Sequence, residues 1–151
     1  MRVCISGTFN VLHKGHKLLI EKAFESAGEN GTVFIGVTKG KMLQKKRFLT
    51  PFNKRVNTIK KYLETKGYDK RAVIQAIFDK YGPAAYGEYD AIVVSPETFE
   101  NAEDINKKRV NNGKKPLKII KVPYVLAEDD KPISSTRILN GEIDEDGRVL
   151  K

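Results

Sequence analysis

Five short apolar runs, separated by helical patterns, constrain the fold of this chain more than any other feature. The runs are rich in Val and Ile, and most lack the polar alternation of a strand with one wet face. This pattern is typical of strands that are buried on both faces of a parallel sheet. The predicted strands are Arg2–Ser6, Thr32–Thr38, Ala72–Ile77, Asp90–Ser95 and Leu117–Val122.

Helical patterns occupy the intervals between these runs. The second interval offers Thr50 as an N-cap and Pro51 at the first helical position, and the third offers Ser95 and Pro96 in the same roles. Glycine ends three of the patterns, since it adopts the backbone conformation that closes a helix. The predicted helices cover 14–27, 50–67, 95–113 and 134–139.

The alternation of strand and helix predicts the fold class. It is typical of a doubly wound α/β domain, a Rossmann-like sheet of about five parallel strands flanked by helices. No repeat, low-complexity segment or long linker divides the 151 residues, so a single domain is expected over 1–151. The polar tail, 142–151, is expected to fray.

Composition narrows the class of partner. The net charge of +9 admits nucleic acid, an anionic membrane or small polyphosphates. The basic residues are scattered without interleaved aromatics, and no long uncharged apolar run occurs, so we expect neither nucleic acid nor a membrane as partner. The single cysteine, Cys4, lies in the first predicted strand. We expect a buried, unreactive thiol and a cytoplasmic location.

Both histidines of the chain, His13 and His16, stand where the first strand gives way to the first helix. Ligands of an open parallel sheet bind beyond the carboxyl ends of its strands, where Gly7 and Thr8 lie. A helix N-terminus there favours an anion, and Gly15 leaves room for it. We expect the two imidazoles to bind phosphate. One packed and one solvated histidine is an alternative. A metal pair is disfavoured, because no third ligand accompanies them.

A second candidate anion site lies near the other end of the chain. Ser134 and Ser135 open a short predicted helix, followed by Thr136. Their hydroxyls and the first backbone amides are suited to hold phosphate oxygens, and simple helix capping by serine is the alternative. Two such sites in one small sheet suit a nucleoside triphosphate.

These motifs together resemble a known superfamily. Gly-Thr-Phe at 7–9 with His-x-Gly-His at 13–16, and Ile-Ser-Ser-Thr at 133–136, resemble the two signatures of the nucleotidylyltransferases. Tyr-Gly-Pro-Ala at 81–84 resembles the archaeal and eukaryotic-type phosphopantetheine adenylyltransferases, although alone it reads as an ordinary turn. Val-Val-Ser-Pro-Glu-Thr at 93–98 and Ile-Asn-Lys-Lys-Arg at 105–109 resemble the same family.

The resemblance implies an activity. ATP would transfer its adenylyl group to 4′-phosphopantetheine, giving dephospho-coenzyme A and pyrophosphate, by in-line attack without a covalent intermediate. Mg²⁺ would bind mainly through the ATP phosphates. Another nucleotidylyltransferase, such as an FAD synthetase or a cytidylyltransferase, is the alternative. The Arg-Thr-x-Gly pattern usual in cytidylyltransferases is absent at 129–132.

The resemblance also implies roles for the residues that bind the reacting phosphates. Thr8 and the amide of Phe9, after Gly7, would orient the attacking phosphate. His16 would bond the α-phosphate as charge develops, and His13 the outer phosphates. The residues expected to hold the β- and γ-phosphates are Ser134, Ser135 and Thr136.

The roles of four further residues follow from the resemblance less directly. Arg109 would reach the triphosphate or be a surface charge. Lys39 and Lys41 both qualify to neutralise the acceptor phosphate, and Lys41 is preferred. Tyr81 is expected to contact the acceptor. The basic run 45–47 would form a mobile loop over the site or a solvated charge run.

Overall fold

The computed structural model of the chain describes residues 1–40 and 49–150. Within them lies one five-stranded sheet in which all neighbouring strands are parallel. The strands are β1 (Arg2–Gly7), β2 (Thr32–Thr38), β3 (Ala72–Ile77), β4 (Ala91–Val94) and β5 (Lys118–Lys121). Their order is β3-β2-β1-β4-β5, so the chain begins in the middle and winds outward on both sides. The predicted doubly wound, Rossmann-like fold is confirmed.

The helices of the described residues cover both faces of the sheet. They are α1 (Lys14–Ala27), α2 (Phe52–Lys66), α3 (Phe99–Asn111) and α4 (Ser135–Leu139). Two short 3₁₀ helices, Asp69–Arg71 and Gly82–Ala85, precede and follow β3. Because the strands are parallel, each long helix begins near the carboxyl edge of the sheet and runs back to the amino edge.

Two apolar cores follow from the alternation of side chains along the strands. On one face, Val3 and Ile5 of β1 pack with α1 and α2. On the other face, Cys4 packs with α3 and with the 3₁₀ helix after β3. Cys4 is 2% exposed, which confirms the expected burial, and this burial raises the pKa of its thiol to about 12.

Helix α2 begins one residue later than predicted. Pro51 occupies the N-cap position, without a side-chain hydrogen bond, and Phe52 is the first helical residue. Thr50 does not cap the helix, because Asn10 binds it instead. The Thr50 amide donates to the Asn10 side chain at 2.7 Å, and the Thr50 hydroxyl donates to the Asn10 carbonyl at 3.1 Å.

Helix α3 also begins later than predicted, at Phe99 rather than Pro96. The residues before it form a separate turn. The Thr98 amide donates to the Ser95 carbonyl, and the Ser95 amide donates to the Thr98 hydroxyl at 3.2 Å. These local bonds compete with the first helical turn, a known tendency of serine and threonine.

The segment from 142, expected to fray, is folded as far as residue 150. Ile143 is 1% exposed and packs in a third, small cluster with Ala127 and Ile133. The Val149 amide donates to the Glu128 carboxylate at 2.7 Å. The prediction was wrong because one apolar side chain in this polar segment finds a complementary surface. No helix within 1–40 and 49–150 has the length and apolarity that a membrane span requires.

Candidate active site

The loop that follows β1 has a strained backbone. Phe9 adopts a φ of 51°, in the left-handed region that a bulky residue rarely enters, and its side chain is 2% exposed. Its ring packs over Gly7, where an added Cβ would lie 3.2 Å from a ring carbon, and beside the His16 ring at 5.0 Å. Such strain is typical of a functional loop that its surroundings hold in place.

His13 is the N-cap of α1. Its Nδ1 accepts hydrogen bonds from the amides of Gly15, at 3.0 Å, and His16, at 3.4 Å. The His13 amide lies 3.4 Å from Nδ1 of His16, and the two rings stack with centroids 3.8 Å apart. A Cβ on residue 15 would lie 2.9 Å from Cε1 of His13. Gly15 therefore makes room for the His13 ring. The sequence interpretation had explained this glycine by the space that a ligand needs.

The two imidazoles are neutral near pH 7 in this environment. Burial lowers the pKa of His13 to about 4. Burial and the neighbouring His13 lower the pKa of His16 to about 3, against an opposing contribution from the Val11 carbonyl. Because Nδ1 of His13 accepts from Gly15, the proton of the neutral His13 ring resides on Nε2. His13 thus offers a hydrogen-bond donor rather than a fixed charge.

Ser135 joins the C-terminal motif to the N-terminal loop. The Ser135 hydroxyl donates to the Val11 carbonyl and accepts from the Val11 amide, both at 3.2 Å. Ser134 caps α4, since its hydroxyl accepts from the Arg137 amide at 3.2 Å. Thr136 is exposed on the same short helix. The structure therefore brings the two motifs together, and one of their serines is also a helix cap.

Arg55, which the sequence interpretation missed, links the carboxyl ends of β1 and β2. Its guanidinium is 2% exposed, and one nitrogen donates to the carbonyls of both Thr8, at 2.9 Å, and Thr38, at 2.8 Å. Nε donates to the Thr50 carbonyl at 2.8 Å. Arg55 follows Phe52 by three residues, a spacing that places both on one helix face. That spacing was a signal available in the sequence.

Lys39 follows directly after β2, on the same edge of the sheet as Thr8. Its ammonium lies 4.7 Å from the centre of the Phe52 ring, a distance at which a cation and an aromatic face attract each other. The preferred candidate, Lys41, and the basic run 45–47 lie outside the described residues. Their assigned roles stay predictions.

Tyr81 lies at the start of the 3₁₀ helix after β3. Its amide donates to the Asp79 side chain at 2.9 Å, and the Lys108 ammonium lies 4.3 Å from the centre of its ring. With Ser6 and Ile77, near the carboxyl ends of β1 and β3, it lines a cavity of about 10 Å³. Its expected contact with the acceptor stays a prediction.

Arg109 fits neither of its two sequence interpretations, a contact with the triphosphate or a surface charge. It is 3% exposed, so it is not a surface charge. Its nitrogens donate to the carbonyls of Lys115, at 2.7 Å, and of Ala84 and Gly87, both at 2.8 Å. Arg109 lies in the last turn of α3, which has returned to the amino edge of the sheet. The predicted contact with phosphates is therefore wrong.

The donors gathered at the carboxyl edge are hydroxyls, backbone amides and neutral imidazoles. Within the described part of the chain, no group of three or more His, Cys, Asp or Glu side chains could hold a metal ion. This donor set is suited to phosphate oxygens.

Comparisons with known proteins agree with this geometry. A family model described as cytidylyltransferase-like matches residues 4–141. The phosphopantetheine adenylyltransferase of Methanosarcina barkeri is 48% identical over 151 residues, which cover 99% of this chain and 93% of the relative. A bifunctional phosphopantetheine adenylyltransferase/NTP phosphatase of Thermoplasma volcanium is 47% identical over the whole chain, which spans 45% of that relative.

Solved structures agree as well. A protein of unknown function from Archaeoglobus fulgidus has a TM-score of 0.73 and 39% identity, over 81% of this chain and 89% of that one. A tyrosyl-tRNA synthetase from the same organism has a TM-score of 0.64 at 10% identity, over 90% of this chain and 59% of that one, and shows the shared fold alone. Taken with the relatives, the chain belongs to the cytidylyltransferase-like family and, within it, to the phosphopantetheine adenylyltransferases.

Proposed function

We propose that this chain transfers the adenylyl group of ATP to 4′-phosphopantetheine, with dephospho-coenzyme A and pyrophosphate as products. The paired hydrogen bonds between Ser135 and Val11 carry the proposal, since they bring both nucleotide motifs to one edge of the sheet. Archaeal relatives at 43 to 48% identity bear the name of this activity. We further expect it to work in the cytoplasm.

The reaction requires positioning more than it requires a strong base. The phosphate of the acceptor is largely ionised near neutral pH, and one of its oxygens attacks the α-phosphorus of ATP as pyrophosphate leaves. The Phe9 amide and the Thr8 hydroxyl would orient that phosphate. His16 would donate to the α-phosphate as its charge grows, and a fixed donor gains strength as the barrier is crossed. The buried Phe9 ring packs against Gly7 and His16 and holds the backbone at its strained φ, so the amide would be positioned before the phosphate arrives.

Positive charge at the acceptor side comes from Arg55 and Lys39 in the described residues. Arg55 is buried, and no described carboxylate pairs with it. Its field at the carboxyl ends of β1 and β2 is therefore little screened and favours an anionic acceptor. Lys39, exposed beside Phe52, would meet the acceptor phosphate directly.

The triphosphate would lie between the start of α1 and Ser135. The first amides of α1 and the Nε2 proton of His13 supply donors on one side. The Ser135 amide and the Thr136 hydroxyl would supply donors on the other side, while the Ser135 hydroxyl donates its proton to the Val11 carbonyl. Ser134 acts there as the cap that shapes α4. This arrangement would hold the β- and γ-phosphates while His16 contacts the α-phosphate.

Mg²⁺ would arrive with ATP. The hydroxyl, amide and imidazole donors of the site suit a metal that is held by phosphates and water rather than by a protein cage. The bound ion would neutralise charge on the phosphates. The residues of this chain then bind and orient the phosphates around it.

The proposed function is tested by measuring pyrophosphate release with ATP and a panel of acceptors. The panel contains 4′-phosphopantetheine, flavin mononucleotide, nicotinamide mononucleotide and glycerol phosphate. We expect kcat/KM to favour phosphopantetheine by about a hundredfold or more, because polar groups shaped for one acceptor are left unpaired by another. Faster turnover of flavin mononucleotide would overturn the assignment.

A further inference from the structure

We propose that Thr38 is a positioning residue that aims the Thr8 hydroxyl at the acceptor phosphate. The inference rests on the proposed function, because it assigns a role in that reaction to a residue with no assigned part in the chemistry. Thr38 is the last residue of β2, the strand beside β1 in the sheet.

The register of the sheet places these two threonines side by side. Gly7 pairs with Val37 at the end of the parallel ladder, so Thr8 and Thr38 are the next residues along their chains. The Thr38 side chain is 7% exposed, although its hydroxyl is polar. A buried hydroxyl needs a hydrogen-bond partner, and Thr38 has one in Thr8.

The direction of the hydrogen bond gives Thr38 its role. The Thr38 hydroxyl donates to Oγ1 of Thr8 at 3.0 Å. A hydroxyl carries one proton and two acceptor positions. Once Thr8 accepts from Thr38, its own proton must point elsewhere. No described residue accepts that proton, so within 1–40 and 49–150 the Thr8 hydroxyl keeps a donor for the acceptor phosphate, which is expected at this edge.

Arg55 fixes the backbones that carry the two hydroxyls. The same guanidinium nitrogen donates to the Thr8 carbonyl at 2.9 Å and to the Thr38 carbonyl at 2.8 Å. The two residues therefore cannot separate without breaking a hydrogen bond to a buried cation, which is among the stronger kinds. Backbone and side-chain contacts together restrict the Thr8 hydroxyl to one orientation.

Replacing Thr38 by Val removes the donor and keeps the branched shape. The Thr8 hydroxyl then becomes free to rotate, so part of its orientation must be recovered on binding. We expect kcat/KM for phosphopantetheine to fall by about fivefold to tenfold, the size of one neutral hydrogen bond. The KM for ATP should stay within about twofold, since ATP lies on the other side of the site, and Thr38→Ser should restore activity because it keeps the hydroxyl.

Thr32→Val is the matched control. It is the same substitution on the same strand, at the amino edge, and it should leave kcat/KM unchanged. If Thr38→Val does not fold, Thr38→Ala replaces it with the same expectations. Wild-type kinetics in the Thr38 variant, or a loss that Thr38→Ser does not restore, would overturn the proposal.

A double-mutant cycle separates positioning from a general structural role. If Thr38 acts through Thr8, adding Thr38→Val to Thr8→Val should lower kcat/KM by less than about twofold further. An equal loss in both backgrounds would mean that Thr38 acts independently of Thr8. Failure of the proposed function would be detected before the cycle, in the acceptor panel, because the wild-type enzyme would not use phosphopantetheine. The cycle would then be run with the acceptor of the panel that the enzyme does use.

Discussion

Arg55 and Arg109 make the same kind of contact at opposite edges of the sheet. Each is at most 3% exposed, and each donates to three backbone carbonyls. Arg55 lies in the first turn of α2 and ties the carboxyl ends of β1 and β2. Arg109 lies ten residues beyond Phe99, so about 15 Å of helix separates it from the carboxyl edge.

The difference teaches that the role of a buried arginine depends on whether it lies in the first or the last turn of its helix. A cation in the first turn of a crossover helix lies where the ligands of a parallel sheet bind. A cation in the last turn lies at the opposite edge, away from the ligands, and stabilises the loops that it contacts there. Arg109 belongs to the Ile-Asn-x-x-Arg motif, and so does Asn106. The backbone amide of Leu117 donates to the Asn106 side-chain oxygen at 2.7 Å, and the Asn106 side-chain nitrogen donates to the Leu117 carbonyl at 2.9 Å. In this structure the motif fixes the connection from α3 to β5.

The largest effect is expected at the carboxyl edge itself. His16→Ala removes a donor that strengthens during the reaction, so kcat should fall by about two to three orders of magnitude. The Tm should change little, because His16 is a half-buried polar residue outside the apolar core. Steady-state kinetics and a thermal melt of the same sample provide both values. A folded, nearly fully active variant would mean that the histidine pair is structural.

Arg55→Met should reduce activity and stability together. The Met side chain keeps the apolar stem but releases the Thr8 and Thr38 carbonyls, and a small displacement of Thr8 can cost about a hundredfold in rate. We expect kcat/KM for phosphopantetheine to fall by about tenfold to a hundredfold. Arg55→Lys is the control: it keeps the charge but cannot reproduce the forked contacts, so it should recover only part of the loss. Unchanged kinetics in Arg55→Met would remove the distinction between the two arginines.

Arg109→Met should separate stability from catalysis. Three carbonyls lose a buried donor, so the free energy of unfolding should fall by about 2–4 kcal/mol. The kcat of the folded fraction should stay within about threefold, because the contacts of Arg109 lie at the amino edge. Chemical denaturation gives the first value, and kinetics below the unfolding transition give the second. A hundredfold loss of kcat in a stable protein would support the earlier hypothesis that Arg109 binds phosphate.

The smallest effect on activity is expected for the last prediction, which concerns the pH dependence of stability. His13 and His16 have lowered pKa values in the folded protein, about 4 and about 3. The unfolded chain, with values near 6.5, therefore binds more protons below that pH. The contribution of the neutral rings is fully present above pH 6.5. It is lost as pH falls toward 4, by at most about 1.4 kcal/mol per pH unit for each histidine.

His13→Asn isolates this contribution. The asparagine side chain keeps an acceptor for the amides at the start of α1 but does not titrate. Carboxylates titrate alike in both proteins, so the difference between their pH profiles reports His13 together with its effect on the neighbouring His16, whose pKa it lowers. Urea denaturation at pH 7, 6 and 5 should show a shallower decline for the variant. Identical slopes would contradict a buried, neutral His13.

Much of the fold could be predicted because hydrophobic runs report burial directly. The second and third predicted strands, Thr32–Thr38 and Ala72–Ile77, match the structure to the residue. The start of α2 was less predictable, because a distant partner decides it. Thr50 has the side chain of a good cap, but Asn10, forty residues away, binds it first. A single-sequence pattern does not contain that competition.

For the candidate site, the motifs located the right edge of the sheet but not every residue on it. The resemblance around Arg109 did not indicate at which edge of the sheet its side chain lies. The structure shows that α3 ends at the amino edge, so Arg109 lies there. Arg55 was within reach, since its spacing from Phe52 and Ile59 puts it on the inward face of α2. The contact between Thr8 and Thr38 depends on which strands are neighbours and in what register, which periodicity alone does not reveal.

The contact between Val11 and Ser135 spans 124 residues, so it closes nearly the whole chain into a loop. Contacts between such distant residues form slowly, because the chain loses much entropy before they stabilise it. During synthesis, the phosphate-binding edge cannot assemble until α4 has left the ribosome. During heating, we expect the small cluster of Ala127, Ile133 and Ile143 to open before the sheet, because it has far fewer buried apolar side chains than the two main cores. We therefore expect catalytic competence to appear only after α4 has been synthesised, and to be lost on heating before the sheet melts.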